Sequence, residues 1–451
     1  MAESTQKIKK QSLDEQFNDY EDVPVPEHAR RNWLDMGIVW MGAGLSILAT
    51  GGLLADGLSF WNTILVSVVG AILVFVIAAF VGMVSVHLHL SASFTARFPF
   101  GRNGSRIFGA MLCFSNFGWF AFQSDLFGNT VSSILRQGWN LETPTIVFTI
   151  LGGLAMATTA IFGFKAIEKF SKFSFPILVL LCAVAIWKTF ALVPAGDIIG
   201  SGPVGTPITI PMGLAIVISS YAGGIAVIGD VSRFAKSKKD CLKGLSLGYV
   251  WGFIPILLCG SFFTYAFHNW NIVEVMIEDL NMGILGAVGL IICQWTTNDN
   301  NLYTSVLGVT NMLDGIVKIP RIRLSIIIGL ISTAVAAIGM YKYFENFLSI
   351  LGVFIIPVAG IIVADYYICN RKRYQVENPQ PTESVNPSAM AAWVVASFVG
   401  LTMTAPPVGF GWLAWVGDYV PVPIIGMFLA MILYSILEAG KKSLSAGRQA
   451  A

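Results

Sequence analysis

The chain has 451 residues, 55% of them hydrophobic and only 12% charged, with a formal net charge of +2. Soluble proteins carry about a quarter charged residues, so a water-soluble enzyme or binding module is excluded, and the near-neutral balance selects no nucleic-acid partner. Apolar runs of roughly 18–25 residues recur along the whole chain, each enough to cross a ~30 Å hydrocarbon core as a helix.

Residues 1–32 form a polar tail of mixed charge. It has no basic start followed by an apolar stretch and cleavage site, so no cleaved signal peptide is expected. Twelve apolar spans follow, at about 34–55, 60–86, 107–135, 144–163, 173–192, 208–231, 244–267, 283–310, 323–341, 345–368, 388–404 and 417–438. The predicted organisation is a five-helix unit (33–192), a second five-helix unit (208–368), a final helix pair (388–438) and a second polar tail (439–451).

Span one reads GIVWMGAGLSILATGG, with Gly42, Gly44, Gly51 and Gly52 in one crossing. Span six reads IVISSYAGGIAVIGD, with Ser219, Ser220, Gly223 and Gly224 at mid-depth. The two hold the same place in successive five-span units, which points to an inverted-repeat transporter with broken helices and a midplane site. The competing reading is that the small residues let helices pack closely.

Span three contains CFSNFGWFAFQSDLFGN, in which Asn116, Trp119 and Gln123 share one helical face. An indole between two carboxamides suits a flat heterocycle, stacked on the ring and bonded at its edge by the amides. Alternatively the amides link neighbouring helices and Trp119 is packing. Asp125 lies off that face, and the sequence assigns it no role.

Span eight contains IICQWTTNDNNLYTS, the most polar stretch inside any span. Intramembrane polar groups are costly and usually functional. Cys293, Thr296 and Thr297 fall within about one turn, and two hydroxyls with a freed carbonyl are hard ligands that suit Na⁺ better than a transition metal. The alternative is threonine hydroxyls bonding back to their own helix. Asn298, Asp299, Asn300 and Asn301 extend the polar run and suggest a gate network on the cytoplasmic side.

The charges test the topology. Of the 28 basic residues only Arg136, Lys188 and Lys342 fall on the side opposite the N-terminus, so the positive-inside rule places both termini in the cytoplasm. The expected location is the inner (plasma) membrane, crossed many times. The six cysteines sit mostly within apolar stretches as small hydrophobic residues. No acid, base and nucleophile converge, and no phosphate-binding loop appears, so neither an enzyme nor ATP-driven transport is expected.

Longer strings carry a resemblance. WTTNDNNLY (295–303), ARFPFG (96–101), GWF (118–120), DVSRF (230–234) and IIPVAGIIVADYYICNRKRY (355–374) resemble the corresponding motifs of cytosine permeases, over roughly residues 24–375. The chain is thereby identified as a member of the nucleobase:cation symporter-1 family. That resemblance implies an all-α membrane protein of 12 transmembrane helices, a LeuT-like 5+5 inverted repeat plus two C-terminal helices, with helices 1 and 6 discontinuous. It implies a substrate sandwiched between Trp119 and Tyr221, with Asn116, Gln123, Ser220, Gly223, Cys293 and Gln294 around it. It implies Na⁺ held by Thr296, Thr297 and the Cys293 carbonyl, with span-one carbonyls near Met41 and Gly44.

Cytosine permeases have Gln at the place of Asn116, Ser at Gly223 and Asn at Cys293, so the groups that read the substrate's edge differ here. Gln123 stands as in hydantoin-transporting relatives, and Gln294 adds an amide. The expectation is import of a nucleobase or related planar heterocycle by cation symport, with cytosine and Na⁺ the first choices and no other cofactor. Purines, allantoin, hydantoins and proton coupling are the alternatives; an amino-acid transporter or a channel on the same fold ranks below them.

Overall fold

The computed structural model describes residues 23–41, 45–160, 164–313, 315–375 and 383–450. The tail before residue 23 and the span-one positions Gly42 and Gly44 lie outside the described residues. Ordered along the chain, the main helices begin with α1 (Trp33–Met41), α2 (Leu45–Gly57), α3 (Phe60–Leu88), α4 (Ala92–Phe100) and α5 (Arg106–Trp139). They continue with α6 (Thr145–Ala160), α7 (Phe164–Leu192), α8 (Ile210–Ser220), α9 (Ala222–Ala226) and α10 (Ile228–Ser232). The remainder are α11 (Lys238–Phe267), α12 (Gly283–Leu313), α13 (Arg321–Ala336), α14 (Met340–Cys369), α15 (Pro387–Met403) and α16 (Val422–Ala450).

The described residues contain no strand, and one isolated bridge joins Arg31 to Ala235. There the Arg31 amide donates to the Phe234 carbonyl at 2.6 Å and the Lys236 amide donates to the Arg31 carbonyl at 3.1 Å. This bridge fastens the N-terminal segment to the loop after α10. Bulky residues such as Trp61, Trp187, Trp251 and Leu285 stand on the outside of the bundle, where hydrocarbon rather than water suits them. By length and hydropathy alone, four described helices can cross a membrane, or five if α1 and α2 count as one bent span. The long α5 and α12 carry the polar runs that the site uses.

Glycines set how closely the site-bearing helices approach. A Cβ on Gly109 of α5 would lie 2.6 Å from the Gly308 carbonyl oxygen of α12, and one on Gly308 would lie 2.6 Å from the Gly109 oxygen. Only bare backbone fits at that crossing, so the helices carrying Trp119 and Thr296 touch directly. The α2–α11 pair is built the same way. A Cβ on Gly51 would stand 2.0 Å from the Leu257 oxygen, and one on Gly260 would stand 2.0 Å from the Leu48 oxygen. The Ser261 hydroxyl donates to the Gly51 carbonyl at 2.8 Å. For Gly51 the close-packing reading of span one therefore holds.

A buried polar knot ties the last helices to the core. Asp365 is fully buried at the end of α14. It accepts from the Tyr434 hydroxyl (2.7 Å), the Tyr374 hydroxyl (2.6 Å) and the Asn370 amide (2.6 Å). Glu438 of α16 accepts from Asn386 at 3.0 Å, and Asn386 also donates to the Pro99 carbonyl of α4 at 2.9 Å. Asp365→Ala leaves several buried donors unsatisfied. It is expected to cost about 3–5 kcal/mol, seen as a clear fall in the thermal unfolding midpoint of the purified protein; an unchanged midpoint contradicts this role.

Candidate functional site

A cavity of about 660 Å³ enters the bundle. Its inner end is walled by Asn116 and Trp119 of α5, Ser220, Tyr221 and Gly223 at the α8–α9 break, Tyr249 and Phe253 of α11, and Thr296 and Thr297 of α12. At the other end it runs out past Asp35, Asp230 and Arg233 to His28–Arg31, the side that holds the N-terminal segment.

Local backbone explains why these groups meet. Helix α8 ends at Tyr221, whose φ of −101° and ψ of 1° leave helical geometry before α9 begins. That break turns the Tyr221 ring into the cavity wall. Gly223 follows, and a Cβ there would lie 2.4 Å from the Ser115 hydroxyl and 3.6 Å from Trp119 Nε1. Glycine thus lets the broken segment press against α5 beside the indole.

Among the described residues, every ring contact of Trp119 is edge-on: Phe122 at 5.8 Å, Phe344 at 5.8 Å and Phe347 at 5.4 Å between centroids. None of these rings stacks parallel on the indole, which borders the cavity. Tyr221 stacks one face on Phe253 at 4.3 Å, and its buried hydroxyl has no hydrogen-bond partner. Asn116 donates to the Leu112 carbonyl at 2.9 Å, which leaves its side-chain oxygen to accept. Ser220 donates to the Val217 carbonyl of its own helix at 2.8 Å.

Three predicted substrate contacts do not line the cavity. Gln123 is fully buried one turn beyond Trp119, and neither its amide nitrogen nor its amide oxygen has a partner. An unpaired buried amide group costs about 1–3 kcal/mol, so this side chain is set for a ligand or a rearrangement. Gln294 turns to α5, where its amide donates to the Thr130 hydroxyl at 2.9 Å. The Cys293 thiol turns to the Ser174 carbonyl of α7 at 3.5 Å. Both side chains are drawn into helix contacts because α12 is buried on several sides.

The predicted cation ligands separate similarly. The Thr296 and Thr297 hydroxyls lie 3.1 and 2.9 Å from the Cys293 carbonyl oxygen, and both threonines, though not Cys293, line the cavity. Both threonines thereby bond back to their own helix, as the competing reading expected. Met41 is not part of the wall, and Gly44 lies outside the described residues. The rest of the polar run divides by role. Asn298 donates to the Phe120 carbonyl at 3.2 Å and the Ser124 hydroxyl at 3.1 Å, and Asp299 accepts from Thr159 at 2.6 Å. These two brace α12 on α5 and α6, while Asn300 and Asn301 line the cavity.

Sequence reasoning missed Tyr249 and Phe253, whose apolar setting in GYVWGF gives no periodic signal. It also missed Asp230, which caps the start of α4 by accepting from the Ala92 amide at 2.9 Å.

The profile of one protein family, described as "Permease for cytosine/purines, uracil, thiamine, allantoin", matches residues 24–421. The chain belongs to this family. The permease is a membrane transporter and not an enzyme. It is 29% identical over 428 residues to the cytosine permease of Escherichia coli (strain K12), covering 94% of this chain and 96% of that one. The hydantoin permease of Microbacterium maritypicum is 24% identical over 392 residues, covering 80% of the permease and 79% of its relative. Among solved structures, the inward-facing conformation of Mhp1 superposes with a TM-score of 0.79 at 17% identity, over 94% of the permease and 93% of Mhp1. A closed conformation of that nucleobase-cation-symport-1 transporter with bromovinylhydantoin bound gives 0.75 at 18% identity, over 92% of the permease and 93% of that chain. The permease therefore shares the fold of that transporter.

Proposed function

We propose that the permease imports a nucleobase or related planar heterocycle by Na⁺ symport and alternating access. The observation that carries this reading is Trp119 at the inner end of the cavity, with no ring stacked parallel on it, beside the Asn116 amide on the same wall. A flat ring stacks on the indole, and a donor on its edge meets the Asn116 side-chain oxygen. Cytosine and hydantoin permeases among the relatives support a substrate of that chemistry. Cytosine is the first choice, with a hydantoin or allantoin the alternative.

The proposed architecture has twelve spans in two inverted five-helix units plus a final pair, with α1–α2 as the broken first span and α8–α10 as the broken sixth. In its support, α1 and α2 are bent by 57° to each other, and Tyr221 and Val227 interrupt the sixth. The cavity runs out on the side of the N-terminal segment, which the basic residues assign to the cytoplasm. We therefore read this state as inward-open.

For the cation, the Cys293 carbonyl and the Thr296 and Thr297 hydroxyls fit Na⁺: all are neutral hard oxygens, and the Cys293 thiol is turned away. Backbone near Met41 and Gly44 would complete the set. Binding there steadies the broken first span and so raises substrate affinity, and by linkage substrate raises Na⁺ affinity. Thr296→Ala with Thr297→Ala is expected to weaken the Na⁺ dependence of uptake at least roughly ten-fold, the size of one lost charge-assisted contact. Uptake that is indifferent to Na⁺ in the wild type and follows the proton gradient assigns the coupling to H⁺ instead.

A further inference from the structure

Beyond Trp119, on the side away from the cavity, the start of α14 is folded over the site as a roof. Phe344 and Phe347 meet the indole edge-on, and Phe344 stacks on Phe122 at 4.3 Å. Tyr341 stacks on Trp270 at 4.3 Å, and its hydroxyl donates to the Trp270 carbonyl at 2.8 Å. Aromatic faces of this kind slide and separate readily, so they do not by themselves fix the roof in one place.

Besides these rings, a hydrogen bond accepted by Asp125 joins the roof to α5. Asp125 stands six residues past Trp119, about 9 Å further along α5 at 1.5 Å per residue, and it is buried. Its Oδ2 accepts from the Tyr341 backbone amide at 2.9 Å. Tyr341 lies in the first turn of α14, where helix amides have no partner within the helix and where a carboxylate is favoured by the helix dipole. The other oxygen, Oδ1, is 3.5 Å from both the Thr149 hydroxyl of α6 and the Asn129 amide of α5. One oxygen is thus anchored to the α5–α6 side and the other grips the roof. An acidic side chain inside a membrane span is costly and marks function by default.

We propose that Asp125 is a positioning residue for the transport cycle, a latch that holds the α14 roof down over Trp119 and must let go for the site to open on that side. That this face is the external one rests on the orientation proposed above; the latch itself does not.

Hydrogen exchange on the purified full-length protein, without substrate, tests the latch. The comparison is between the wild type, Asp125→Ala and Asp125→Asn. Exchange of a protected amide reports the population of its open form. In Asp125→Ala, amides of residues 340–347 should exchange about ten-fold faster or more, as expected for a lost hydrogen bond to a charged group. Amides of residues 106–118 and 355–363 should keep their wild-type rates. Asp125→Asn retains an acceptor oxygen without the charge and should fall between. Wild-type exchange over 340–347 in the variants overturns the latch. So does an equal rise along all the helices, because that reports general destabilisation. If Asp125→Ala gives no folded protein, the local rise over 340–347 in Asp125→Asn, or its absence, decides.

Discussion

Trp119→Ala is expected to abolish uptake while the protein remains folded in the membrane. Tyr221 already stacks on Phe253, whereas the ring contacts that Phe122, Phe344 and Phe347 make with Trp119 are T-shaped, none stacked. Stacking a base on an aromatic side chain is worth about 1–3 kcal/mol. Losing it also removes the platform that places the substrate edge near Asn116. We expect transport efficiency to fall at least about 100-fold, the upper end of that range converted to a ratio. Trp119→Phe, which keeps a smaller face, should retain part of it. Uptake by the alanine variant within a few-fold of wild type, at matched expression, sinks the stacking assignment.

The second large effect concerns backbone contact. Gly51→Ala and Gly260→Ala should each destabilise the protein by about 1–3 kcal/mol, the usual cost of overpacking. The obstacle is another helix's carbonyl oxygen at 2.0 Å in both cases, and backbone does not swing aside as a flexible side chain does. Parting α2 from α11 also strains the Ser261–Gly51 hydrogen bond. Thermal unfolding followed by fluorescence-detected size exclusion should show both variants with lowered midpoints. Wild-type midpoints would mean that the two helices are free to move apart.

Much of this fold is legible because lipid imposes simple rules. Long apolar runs must be helical, and each predicted span contains helix among the described residues. Trp119 and Asn116, singled out on one face of a span, line the cavity, and so does Tyr221, which only the family resemblance had named. Helical periodicity could not tell which buried amides face the cavity. Gln123 and Gln294 lie on helices enclosed by neighbours on several sides, so a shared face with Trp119 or Thr297 does not ensure access to one space. Gln294 reached Thr130, and Asn298 reached Ser124, because the glycine crossing at Gly109 and Gly308 brings α5 within bonding distance. The purpose of Asp125 was hidden for another reason. Its partner is a backbone amide 216 residues away, and backbone donors leave no mark in a sequence.

The most direct test of the central claim is thermal stabilisation of the purified permease by cytosine, uracil, adenine, guanine, hypoxanthine, allantoin and hydantoins, each with and without Na⁺, with Trp119→Ala measured alongside. We predict a shift for one heterocycle that grows with Na⁺ and vanishes in the variant. No shift for any of them in either salt, or a shift that survives the loss of Trp119, contradicts a nucleobase-like substrate stacked at this site.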